Sequence, residues 1–202
     1  MAAKAEPVIL ASASVSRASL LRAAGIAFTV EPAAIDEARL KAVARQRGDS
    51  PTACATALAA EKASLVSRRF PEALVIGADQ ILAAGTEWFD KPRDLAEART
   101  QLRALRGRAH VLATAACVVR GGELLWHMTS APEMTMRRFG EAFLEAYLVE
   151  EGEALLGLVG SYRLEGRGVQ LFSRIEGDNF AVLGLPLVEL LGFLRERGVV
   201  LT

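Results

Sequence analysis

The run Leu74-Val75-Ile76-Gly77-Ala78, followed at once by Asp79, constrains this chain more than any other segment. Five apolar residues without polar alternation suit a strand covered on both faces, as in the sheet of an α/β protein. The strand is expected over Ala73–Ala78, ending abruptly at the carboxylate. In open α/β sheets, ligands gather at the carboxyl ends of strands. Small Gly77 and Ala78 leave room there, which favours a functional Asp79 over a turn residue bonding its own backbone.

Other elements follow from caps and periodicity. Val8–Ala11 reads as a strand running into Ser12-Ala13-Ser14, then a helix over Ser16–Ala24 closed by Gly25. A second strand is expected over Ile26–Glu31, and Ile35-Asp36-Glu37 opens a polar segment. Ser50-Pro51 starts a helix reaching about Arg69. A turn at Gly85 leads through Trp88 and Phe89 to Lys91-Pro92. Asp94 caps the next helix, with Glu97 completing a capping box. Residues 109–120 and 123–136 read as a hairpin about Gly121-Gly122. A helix over Glu141–Glu150, a glycine-rich stretch, a strand over Val169–Ile175 and a helix over Pro186–Arg197 complete the chain. Alternating strands and helices with one inserted hairpin give an α/β fold with a mixed sheet bent around a central cleft, in one domain over residues 1–202.

Composition excludes several functions. Lys and Arg number 24, as do Asp and Glu, so the net charge is zero. Such a chain has no long-range attraction for nucleic acid or anionic lipid. Phosphate binding must come from a few placed cations, which points to a small-molecule site. No stretch approaches the roughly 20 apolar residues that span a bilayer. Met1–Pro7 lacks a signal peptide's apolar run, so the cytoplasm is expected. Cys54 and Cys117 stand apart without CxxC spacing and read as buried free thiols. His110 and His127 lack metal-ligand spacing and read as structural. No GxxxxGK[ST], HExxH or GxSxG motif occurs.

Several polar residues do not fit their surroundings. At Ser14-Val15-Ser16-Arg17 a strand meets a helix N-terminus, an anion site to which Ser14 and Arg17 could add donors. Taken alone, the segment is better explained by a serine N-cap at Ser14 or Ser16 and a solvated arginine. Leu58, Lys62 and Leu65 share a helix face, so Lys62 either snorkels to water or enters a cleft and meets an anion. Pro92 stiffens the backbone beside Lys91. Asp36-Glu37 could lend a carboxylate to a hard metal or form a solvated corner.

In order and spacing these segments resemble the Maf family of nucleoside triphosphate pyrophosphatases. The matching stretches are Leu10-Ala11-Ser12-Ala13-Ser14-Val15-Ser16-Arg17, Ile35-Asp36-Glu37, Glu61-Lys62-Ala63, Ile76-Gly77-Ala78-Asp79-Gln80 and Asp90-Lys91-Pro92. Gly160-Ser161-Tyr162 with Glu165-Gly166, Ile175-Glu176-Gly177-Asp178 and Gly184-Leu185-Pro186 follow in register. The resemblance implies an elongated, bent mixed sheet flanked by helices, with two lobes around a nucleotide cleft, a homodimer, and dependence on Mg²⁺ or Mn²⁺. It implies catalytic roles for Arg17, Glu37, Lys62, Asp79 and Lys91, with Asp79 as base and Asp79 and Glu37 holding the metal. Ser14 and Arg17 would bind substrate. The products would be a nucleoside monophosphate and pyrophosphate, in the clearance of unwanted nucleotides.

Two departures bear on the base. Gln80 stands where many members have threonine, and Glu165 where many have glutamine. Both resemble the branch acting on 7-methyl-GTP rather than that acting on dTTP and UTP. Methylation at N7 makes guanine cationic, so Glu165 could accept from its Watson–Crick edge and Trp88 could stack on it. The alternatives are a dTTP/UTP-preferring enzyme and a non-catalytic nucleotide-binding regulator of cell division.

Overall fold

A computed structural model describes residues 6–201. The expected lack of a leader concerns Met1–Pro7, whose first five residues lie outside the described ones. In chain order the elements are β1 (Val8–Leu10), α1 (Val15–Ala23), β2 (Thr29–Val30), α2 (Glu37–Arg47), α3 (Pro51–Arg69), β3 (Leu74–Ala84) and β4 (Glu87–Phe89). After these come α4 (Leu95–Leu105), β5 (Ala109–Arg120), β6 (Glu123–Ser130), β7 (Glu133–Met136), α5 (Glu141–Glu151), β8 (Phe172–Glu176), α6 (Asn179–Val182) and α7 (Leu187–Glu196). The fold is mixed α/β. Its open mixed sheet has the order β2-β1-β3-β5-β7-β8, with β4 beside β3 and β6 beside β5.

The chain divides into two compact units. The first contains the residues up to Gln80, Thr114–Ser130 and those from Asp178 onward. There β1 runs parallel to both β2 and β3, and the latter part of β5 pairs with β6. Its core joins Leu10, Leu21, Leu74, Ile76, Val118 and Leu190. Helix α3 approaches β3 through a stripe of buried Ala55, Ala59 and Ala63. A Cβ at Gly77 would lie 2.2 Å from the Ala59 carbonyl oxygen, so only glycine permits this approach. That contact draws Lys62, next along α3, toward the end of the β1–β3 ladder.

The second unit comprises Ile81–Ala113 and Ala131–Gly177. There β3 turns antiparallel onto β4, while β7 lies between β5 and β8. Leu102, Leu105, Leu112, Met134 and Tyr147 are fully buried in it. His110 is buried as well, its Nε2 2.9 Å from the Tyr162 hydroxyl. Burial, reinforced by Arg108, pushes the His110 pKa down to about 4. The unfolded chain therefore binds this proton more readily than the folded one. Stability that is complete above about pH 6.5 should fall by about 3 kcal/mol as the pH drops to 4. Urea titrations across that window should show the loss in the parent and not in His110→Gln. Equal slopes in both would contradict the assignment.

Several boundaries differ from expectation. β3 does not stop at Asp79 but continues to Ala84, because a second partner, β4, replaces the parallel one. The strand expected over Ile26–Glu31 is reduced to Thr29–Val30. Asp36 begins a full helix, α2, by accepting the Arg39 N–H. The second arm of the hairpin breaks into β6 and β7 at Pro132, which has no N–H for the ladder. Residues expected to open the last strand form a 3-10 turn, Arg167–Leu171. Glu97 reaches back to the N–H of Arg93 rather than to that of Asp94. No helix among the described residues is long and apolar enough to cross a membrane.

Candidate active site

At the end of β1 the chain leaves the sheet through Ala11-Ser12-Ala13 and enters α1. Ser14 is the N-cap, its Oγ accepting the Arg17 N–H at 3.4 Å. The capping reading of Ser14 thus holds, but Arg17 is not on a solvated face. It is 8% exposed and bridges three segments. Its Nε donates to the Gly184 carbonyl at 2.8 Å, and its Nη1 to Ser12 Oγ at 3.1 Å and to the Ala78 carbonyl at 2.9 Å. Burial lowers its pKa, opposed by nearby Asp79 and Glu37. Arg17 thus places a cation beside Asp79 and fixes the peptide that precedes it.

Lys62 resolves the choice left by its helix face. Its ammonium is buried and sits between two carboxylates, 2.6 Å from Glu37 Oε1 and 3.3 Å from Asp79 Oδ1. The Glu37 side chain is 40% exposed, that of Asp79 only 9%. Glu37 begins α2, which packs against α3, so two helix positions and one strand position converge on this cluster. The other Asp79 oxygen, Oδ2, is buried without a hydrogen-bond partner. An unpaired buried carboxylate oxygen is costly and calls for a ligand or a proton.

Gln80, next along β3, turns its amide inward. Its Nε2 lies 2.8 Å from Thr114 Oγ1, 3.0 Å from the Ala181 carbonyl and 3.2 Å from that of Val182. These carbonyls can only accept, so the amide orientation is fixed with Nε2 as the donor. The segment Ala181–Gly184 is thereby tied to the residues flanking Asp79, through Gln80 and Arg17.

The candidates expected from the sequence in the second unit are Trp88, Lys91 and Glu165. Trp88 is half-buried on β4, opposite Ala83. Lys91 is exposed and buried Pro92 follows it. Glu165 is exposed on a turn where the Gly166 N–H bonds the Arg163 carbonyl at 3.3 Å. That turn needs Gly168, since a Cβ there would lie 2.3 Å from the Arg163 carbonyl oxygen.

Ser12 and Gly184, which hold Arg17, escaped the sequence reading as individual residues. Both lie inside segments singled out there, but one arginine binding both is a tertiary fact. The cysteines behave as expected, buried and free, with burial pushing Cys117 up to about 11.

The carboxylates suit a hard cation. Asp79 Oδ2 is unpartnered, and oxygen donors are what Mg²⁺ or Mn²⁺ prefers. Among the described residues no group of three His, Cys, Asp or Glu is placed to hold a metal. Asp79 and Glu37 would leave the other coordination positions of such an ion to further oxygen ligands.

The chain is similar over nearly its whole length to known proteins. A nucleoside triphosphate pyrophosphatase of Granulibacter bethesdensis is 54% identical over 190 residues, covering 94% of this chain and 96% of its own. One of the same name from Rhodospirillum rubrum is 49% identical over all of both chains. A 7-methyl-GTP pyrophosphatase of Rhizobium meliloti is 48% identical, covering 96% of this chain and 97% of its own. The family model described as Maf-like protein matches residues 7–197, and this chain belongs to the Maf family.

Proposed function

We propose that this chain hydrolyses nucleoside triphosphates at the α-phosphorus, releasing a nucleoside monophosphate and pyrophosphate. The observation that carries the reading is the buried Lys62–Asp79 pair with Asp79 Oδ2 left open. The pyrophosphatase names borne by the relatives support it.

In this reading the first unit supplies most of the chemistry. A water held at Asp79 Oδ2 attacks the α-phosphorus and gives its proton to that oxygen. The bond to the bridging oxygen of the β-phosphate breaks, and pyrophosphate leaves. Arg17 and Lys62 stabilise the charge that builds on the phosphates. The α1 N-terminus and Ser14 grip a phosphate. A divalent cation, bound by Asp79 and Glu37, would neutralise part of the triphosphate's roughly four negative charges. Arg17, Lys62, Glu37 and Asp79 sum to zero, so a further cation is needed. Lys91 is assigned that role on its Asp-Lys-Pro segment.

The two units are taken as one functional domain, acting as a homodimer in the cytoplasm. Two free buried thiols suit a reducing compartment. For the base we favour 7-methyl-guanine, on Gln80 and Glu165. Methylation at N7 makes guanine cationic, a charge that a carboxylate such as Glu165 favours and an aromatic face such as Trp88 can stack on.

A panel of nucleotides incubated with Mg²⁺ or Mn²⁺, with products identified, tests reaction and base together. Pyrophosphate and monophosphate should form in equal amounts, 7-methyl-GTP faster than dTTP or UTP. Faster dTTP or UTP turnover would overturn the base preference alone. Nucleotide binding without hydrolysis would overturn the enzymatic reading.

A further inference from the structure

Helix α4 carries one polar residue on its buried face. Gln101, 7% exposed, lies among Ala98, Leu102 and Leu105. A buried amide must be bonded on both sides, and this one is. Its Nε2 donates to the Asp90 carbonyl at 2.9 Å, and its Oε1 accepts the Ser161 hydroxyl at 3.1 Å. A carbonyl cannot donate, so the amide has one orientation. All of these residues belong to the second unit.

Both ends of this bridge are unusual. The Asp90 carbonyl is half of the peptide that joins Asp90 to Lys91. The buried ring of Pro92 fixes the backbone on the other side of Lys91. Ser161 is fully buried and, among the described residues, the one non-glycine with positive φ, at 58°. Backbone held in that region persists only where its surroundings over-determine it. Here the constraints are Gln101 on the hydroxyl, Tyr147 donating to the Ser161 carbonyl at 3.4 Å, and Gly160 before it. A Cβ at Gly160 would lie 2.4 Å from Leu82 Cδ1, so that turn is tightly packed.

We infer that Gln101 is a positioning residue for Lys91, locking the Asp90–Lys91 peptide to the rigid Gly160-Ser161 turn. The inference rests on the proposed role of Lys91 toward phosphate. A lysine on a free loop loses much side-chain and backbone freedom when it engages an anion. With its peptide bonded at Asp90 and its successor a proline, Lys91 starts from an ordered backbone and has less freedom to lose. Glutamine suits the task because the bridge needs a donor at one end and an acceptor at the other.

A double-mutant cycle on triphosphate hydrolysis tests this, using Lys91→Ala, Gln101→Leu and the pair, each normalised to its folded fraction by circular dichroism. Gln101→Leu should lower kcat on the order of tenfold, with KM changed less. In the Lys91→Ala background it should add almost nothing, because the group it positions is gone. A merely structural glutamine would give the same fold-loss in both backgrounds, and that result overturns the inference. If Gln101→Leu does not fold, Gln101→Glu takes its place in the same cycle. It keeps the acceptor for Ser161, removes the donor to Asp90, and is expected to behave alike. Full turnover by Lys91→Ala alone would instead overturn the role of Lys91, a failure distinguishable from additivity.

Discussion

Asp79→Asn should lower kcat by about a thousandfold while leaving nucleotide affinity nearly unchanged, since general-base catalysis contributes roughly 10²–10⁴-fold. The substitution keeps the shape of the side chain and its place on β3. What it removes is the acceptor at Oδ2, the buried oxygen with no partner. An amide there cannot take a proton from water. Lys62 retains its pair with Glu37 at 2.6 Å, and Arg17 retains its three bonded anchors, so the phosphate-binding groups stay in place. Steady-state kinetics together with equilibrium binding of a non-hydrolysable triphosphate checks the split. Turnover equal to the parent's would remove Asp79 from its role as base.

Lys62→Met should cost both activity and stability. Methionine fills the space of the lysine stem among the apolar neighbours on α3, so little packing is lost. The ammonium is another matter. Without it the Asp79 carboxylate, with a side chain only 9% exposed, loses its Lys62 bond while its other oxygen has none. Breaking a buried ion pair costs about 3–5 kcal/mol. Glu37 is 40% exposed and regains water, which places the loss near the low end of that range. For a chain of this size about 3 kcal/mol lowers Tm by about 6–12 °C. Adding Asp79→Asn to Lys62→Met should restore most of the lost stability, because a neutral amide tolerates burial better than an unpaired carboxylate, and turnover should stay absent. Thermal melts decide this: single and double variants unfolding at one temperature would show that Asp79 does not depend on Lys62.

Much of this site was legible in the sequence because it is built from local signals. The lysine on an apolar helix face and the carboxylate after an apolar strand are each out of place in their own segment, and the serine marks a helix start. Ser50-Pro51 and Gly121-Gly122 likewise mark a helix start and a hairpin in single short stretches. The sequence could not reveal partners far along the chain. Nothing near Arg17 says that its guanidinium is satisfied by Gly184, 167 residues away. Nothing near Gln101 says that it faces Asp90 and Ser161 rather than water. Boundaries failed where pairing, not composition, decides them. β3 continues past Asp79 because β4 receives it, and α2 forms because Asp36 caps it and its face packs on α3. The short α6 was missed for a related reason. Its four residues are held by Asp178 at one end and Gln80 at the other.

The account turns on which phosphorus the water attacks. Hydrolysis of a nucleoside triphosphate in ¹⁸O-labelled water, with mass analysis of both products, measures this directly. Water delivered from Asp79 to the α-phosphorus predicts one ¹⁸O atom in the nucleoside monophosphate and none in the pyrophosphate. Label in the pyrophosphate, or release of inorganic phosphate and a diphosphate, would contradict it.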